Sequence, residues 1–147
     1  MMEIDLKING ADRRLQIEPG ETLLDALRAA GYHGVKRGCD EGTCCSCVVL
    51  VDGVPHASCL LFAAGQQGRQ ITTIEAFGSP DDPHPIVAAF ASEAGVQCGY
   101  CVPGMVLSTK ALLEEHPRPT EQQIRTALDG HLCRCTGYVK QIKAVQK

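Results

Sequence analysis

Ten residues, Gly38 to Cys47, read Gly-Cys-Asp-Glu-Gly-Thr-Cys-Cys-Ser-Cys and gather four of the chain's nine cysteines into one short loop. Thiols this dense point to inorganic chemistry. Cys39, Cys44 and Cys47 form C-x4-C-x2-C, a spacing that holds three corners of a [2Fe-2S] cluster, and Cys59 downstream supplies the fourth. Gly38 and Gly42 suit such a loop, whose backbone must turn sharply and bring N–H groups close to sulfur. Cys45 is left over; C-x5-C-x-C corresponds to no comparable ligand spacing, and it reads as a small buried residue in a crowded loop.

A second set lies downstream as two pairs, Cys98 with Cys101 and Cys133 with Cys135. Four thiolates hold either zinc or a [2Fe-2S] cluster. C-x2-C pairs are common zinc knuckles, whereas Cys-x-Cys is less typical of zinc, and the first site tips the reading of the second towards iron and sulfide.

Elements that position these residues are legible in the patterning. Ile4, Leu6 and Ile8 alternate with charged residues as a half-buried strand, Asn9-Gly10 turns the chain, and Arg14 to Ile17 returns. Thr22 and Asp25 have capping-box spacing ahead of a short helix carrying Leu23, Leu24, Leu27 and Ala30, which Gly31 stops. Val48 to Val51, Asp52-Gly53 and Val54 to Leu60 read as a second hairpin with Cys59 on its return strand. Gln70 to Ile74 adds one more strand, so the N-terminal half, residues 1–77, is predicted to be a β-grasp: a small mixed sheet crossed by one helix.

Residues 78–85, with three prolines, form the predicted linker. Beyond it the period changes from 2 to 3.6, and residues 86–147 are predicted to be helical: Ile86 to Ala94, Pro103 to Glu115, a helix capped by Thr120 and Gln123 that ends at Gly130, and Tyr138 to Lys147. Both cysteine pairs fall at breaks between helices. Antiparallel packing would bring both breaks to the same end of the bundle. The fold class is therefore α+β, a β-grasp domain followed by an all-α four-helix domain.

The bulk properties narrow the class. A net charge of −3 with no basic tract argues against nucleic acid, and no apolar run is as long as a membrane span. The first residues lack a basic segment followed by an apolar run, which predicts a cytoplasmic protein; reducing conditions and an odd cysteine count both disfavour a disulfide framework. Eight ligating thiolates around two oxidised cluster cores would take the charge to about −7. Lys36 and Arg37 offset some of that charge or are simply solvated.

Gly-Cys-Asp-Glu-Gly-x-Cys-x-x-Cys, then Cys59, Gln97-Cys-Gly-Tyr-Cys-x-Pro-Gly104 and Leu132-Cys-Arg-Cys-Thr-Gly-Tyr138, in this order over nearly the whole chain, resemble the small iron-sulfur subunits of molybdenum hydroxylases. That family includes xanthine, aldehyde and carbon monoxide dehydrogenases. One departure is Cys45, where the family usually carries glycine. The resemblance implies one [2Fe-2S] cluster per domain, the first on Cys39, Cys44, Cys47 and Cys59, the second on Cys98, Cys101, Cys133 and Cys135. It implies a large subunit holding molybdenum with a pterin, a medium subunit holding FAD, and electrons passing through this chain between them, in a complex whose arrangements include a dimer of heterotrimers. The helical-domain cluster then lies near the pterin, with Gln97 and the Cys135 sulfur at the large-subunit interface. Substrate chemistry is expected on another subunit, and no catalytic residue on this one.

His131, near Cys133, is read as a loop or helix-end histidine, since a Rieske-type centre needs two histidines on one iron. Arg134 either stabilises cluster charge, contacts a partner or is solvated. Two other readings are a free-standing two-cluster ferredoxin, which has no need of the helical-domain motifs, and a zinc-stapled interaction module, which would be colourless.

Overall fold

Strand β1 (Met2–Ile8) buries Ile4, Leu6 and Ile8 on one face, as its alternation requires. Its partner β2 (Ala11–Ile17) starts three residues earlier than the pattern suggests, because Asn9 and Gly10 both take positive φ and close a two-residue turn that puts Ala11 directly opposite Ile8. Helix α1 (Leu23–Ala29) starts where Asp25 N–H donates to the Thr22 hydroxyl oxygen at 3.1 Å. Leu23, Leu24, Ala26 and Leu27 pack it onto the sheet. The computed structural model describes all residues, Met1–Lys147.

After the cysteine loop come β3 (Val48–Val51), β4 (Val54–Ala57) and β5 (Gln70–Thr72), giving a five-stranded sheet in the order β2-β1-β5-β3-β4. The β1–β5 pairing is parallel and the others antiparallel, so the sheet is mixed as predicted. One expectation fails. The return strand stops at Ala57, and Ser58–Leu60 is a 3-10 turn, so Cys59 is not on a strand. The cause is Ser58, fully buried, whose hydroxyl donates to the Cys47 carbonyl at 2.7 Å and pulls the chain out of the ladder.

Four helices follow: α2 (Pro85–Ser92), α3 (Val102–Glu115), α4 (Glu121–Leu128) and α5 (Val139–Gln146). The capping box on α4 is complete, Thr120 and Gln123 satisfying each other's backbone N–H groups. Two cores result. The first lies between α1 and the sheet; the second lies among α2 to α5 and also takes in Val48 and Leu50. Strand β3 is buried along its whole length because Val49 and Val51 enter the first core while Val48 and Leu50 enter the second. The helical half therefore covers the sheet face opposite α1. No helix is long and apolar enough to cross a membrane.

Candidate metal centres

The first loop is shaped by three residues with positive φ, Asp40, Gly42 and Cys45. Gly42 meets the conformational need that its place in the loop suggests. Gly38 meets a steric one, since a Cβ there would lie 2.7 Å from the Cys44 sulfur and 2.5 Å from the Ser46 hydroxyl. Arg37 pins the rim by ion pairs to Asp25 and Asp40, one on α1 and one in the loop. It is thus a structural link rather than a merely solvated cation.

Within this frame the Cys44 N–H points at the Cys39 sulfur, 3.4 Å away. The Thr43 hydroxyl, with the N–H groups of Glu41 and Cys44, draws the Cys39 thiol down to about 6, so a thiolate is favoured there before any metal arrives. Cys59 goes the other way, pushed up to about 11 by burial and by the Cys47 sulfur beside it. The sulfurs thus stand as two pairs, Cys39 with Cys44 and Cys47 with Cys59.

Cys45 is half-buried against the second core, its thiol raised by burial. It adopts φ 57°, a conformation in which glycine is comfortable and a β-carbon is not, which accounts for how glycine could occupy the same position.

The second site is built from the break before α3 and the one between α4 and α5. Cys101, at the N-cap of α3, is buried and lies against Cys133, while Cys98 and Cys135 are exposed and lie against each other. Burial and the neighbouring Cys133 sulfur push Cys101 up to about 12. At Cys133 burial acts in the same direction, but hydrogen bonds from the Thr136 hydroxyl and the Cys135 and Thr136 N–H groups outweigh it and lower the thiol. The structure therefore brings together the four cysteines of each set, and no two of the nine form a disulfide.

Four cysteine sulfurs at each site supply the donor set that would hold a [2Fe-2S] cluster. The donors fit a [2Fe-2S] group.

Gln97 is exposed on the same loop as Cys98, and Arg134 is exposed without an ion pair. His131 does lie in a loop but is buried: Ser108 Oγ is 2.8 Å from its Nε2, and burial pushes its pKa down to about 4, so it is neutral. Sequence reasoning gave no role to Tyr138, Thr136 or Gln141. The Tyr138 hydroxyl accepts the Cys133 N–H and donates to the His131 carbonyl, both at 2.7 Å, bracketing Leu132. Leu132 N–H in turn donates to the Cys44 carbonyl at 3.1 Å, the one backbone hydrogen bond between the two cysteine loops. A signal existed for Gln141, a polar residue on the buried stripe of α5 beside Ile142 and Val145.

Two family models cover the chain: one described as a 2Fe-2S iron-sulfur cluster binding domain matches residues 6–72, and one described as a [2Fe-2S] binding domain matches residues 73–146. The chain is 42% identical to the nicotinate dehydrogenase small FeS subunit of Eubacterium barkeri, over 97% of this chain and 92% of that one. It is 41% identical to the nicotine 6-hydroxylase small subunit of Paenarthrobacter nicotinovorans, over 98% and 87%. Among solved structures, a chain of quinoline 2-oxidoreductase from Pseudomonas putida 86 superimposes with a TM-score of 0.96 at 38% identity, covering 99% of this chain and 91% of that one.

Proposed function

The chain belongs to the family of small iron-sulfur subunits of molybdenum hydroxylases, and from that membership we propose that it carries electrons from a molybdenum-pterin centre on a large subunit to FAD on a medium subunit. Cys39, Cys44, Cys47 and Cys59 would hold one [2Fe-2S] cluster, and Cys98, Cys101, Cys133 and Cys135 the other. When bound, such a cluster takes up and gives back one electron without making or breaking a substrate bond. The chain's own residues do the rest: they fix the sulfurs and hold the two loops together. Residues 1–77 form the first domain in this reading, 86–147 the second, with 78–85 between them.

The observation that carries this reading is the Leu132 N–H bond to the Cys44 carbonyl, one residue from Cys133. Through it a ligand of one site reaches a ligand of the other by covalent bonds and a single hydrogen bond. Exposure supplies the two ends. Cys98, Cys135 and Gln97 are exposed, with Val96, Tyr100, Leu132 and Val139 as exposed apolar residues on and beside the same loops, a surface suited to burial against the large subunit. Leu60 and Phe62 are exposed beside Cys59 and suit the medium subunit.

Iron and acid-labile sulfide content, with electron paramagnetic resonance of the dithionite-reduced protein, tests the reading. About four of each per chain and two distinct [2Fe-2S] signals are expected. Zinc in the helical site, or a native protein that purifies without two larger chains, would overturn it.

A further inference from the structure

We propose that Thr136 and Gln141 form a hydrogen-bond relay that raises the reduction potential of the second centre. Thr136 Oγ1 lies 3.1 Å from the Cys133 sulfur. Two N–H groups are directed at that same oxygen, Gln141 Nε2 at 2.6 Å and the Tyr138 backbone N at 3.4 Å. They occupy both lone pairs of the hydroxyl, which leaves its own proton one destination, the Cys133 sulfur, and a ligating thiolate can only accept. The orientation of the amide is decided independently. The Gly95 carbonyl, 2.9 Å from Gln141, is an acceptor only, so the NH2 end of the side chain faces it and directs its second hydrogen at Thr136.

Gln141 is fully buried, and its Oε1 has no partner. A leucine would fill similar space on α5 without leaving a carbonyl oxygen unpaired, an arrangement that costs stability. What glutamine adds is its NH2, which orders the threonine proton and ties the loop entering Cys98 and Cys101 to the loop carrying Cys133 and Cys135. A proton donated towards a ligating sulfur stabilises the extra negative charge of the reduced state, and more strongly in a buried setting. The relay therefore favours reduction of the second centre.

This rests on the second site holding its cluster, which iron and sulfide content tests separately. The experiment is a redox titration of the assembled complex, each centre followed by its own paramagnetic signal, on variants with full iron. Thr136→Val is expected to leave about tenfold less of the second centre reduced, relative to oxidised, at a fixed potential, a shift of about 59 mV downwards for a one-electron couple. The first centre should not move, Thr136→Ser should restore the original potential, and Gln141→Met should shift it in the same direction by less. An unmoved second centre in Thr136→Val, or a Thr136→Ser shift as large as that of valine, overturns the relay. Should Thr136→Val not hold its iron, Gln141→Met decides alone, and an unchanged potential there refutes the proposal.

Discussion

Cys45 combines two opposed local effects. Its backbone at φ 57° is uncomfortable for any residue with a β-carbon, while its side chain gains from packing against the second core. Replacing it by alanine or by glycine removes the sulfur in both cases, so the difference between the two variants isolates the backbone. Cys45→Gly is expected to be the more stable by about 1 kcal/mol, read from denaturation midpoints, with full iron in both. Iron loss in either would make Cys45 a ligand. Gln97 is judged by another readout: exposed beside Cys98, it is expected to leave iron content intact when changed to alanine, while reduction of the clusters by substrate slows. Unchanged electron flow would remove it from the large-subunit interface. The glycine-like position of Cys45 was legible as a departure from a motif; the reason for it, a left-handed backbone, was not.

At the level of elements, the turn that carries Cys59 depends on a residue the sequence made look ordinary. Ser58 sits where a strand pattern continues, yet its hydroxyl closes on the Cys47 carbonyl and its own N–H donates to the same oxygen at 3.3 Å. Ser58→Ala removes the shorter of these bonds inside a fully buried site and is expected to cost about 1–3 kcal/mol. It should also weaken iron retention at the first site and not the second, as separate paramagnetic signals would reveal; equal loss at both would mean a global effect. Helix caps were easier to read, because a cap is settled within four residues, as Thr120 and Gln123 illustrate. A serine that leaves a ladder to meet a carbonyl eleven residues away gives no such local sign.

For the whole molecule, β3 decides how independent the two halves are. Val48 and Leu50 face the helices, so residues 1–77 alone would expose both to water. Burying one such side chain contributes about 1.5–3 kcal/mol, so the isolated fragment is expected to be less stable than the same half in the full chain by about 3–6 kcal/mol. Urea melts of fragment and full chain, each with its iron content, check this. A fragment as stable as the intact protein would mean that the shared strand contributes nothing. The same packing sets α3 against the first cysteine loop so closely that a Cβ on Gly104 would lie 2.6 Å from the Cys45 carbonyl oxygen. The two centres are thus held by one body rather than strung on a linker.

Spacing, period and capping were enough to locate the two sets of cysteines, the iron-sulfur chemistry they favour, the mixed sheet followed by helices, and most element boundaries to within about two or three residues. These properties act between near neighbours in the chain, which is why they can be read along it. Which sulfur faces which, why Cys98 and Cys135 are exposed while Cys101 is buried, and that Leu132 meets Cys44 emerged only from the packed molecule. So did the burial of a loop histidine against Ser108, and the reach of a glutamine on α5 to a threonine beside Cys133. Each of these depends on how α3, α4 and α5 pack on β3, and so on contacts between segments that no local pattern relates.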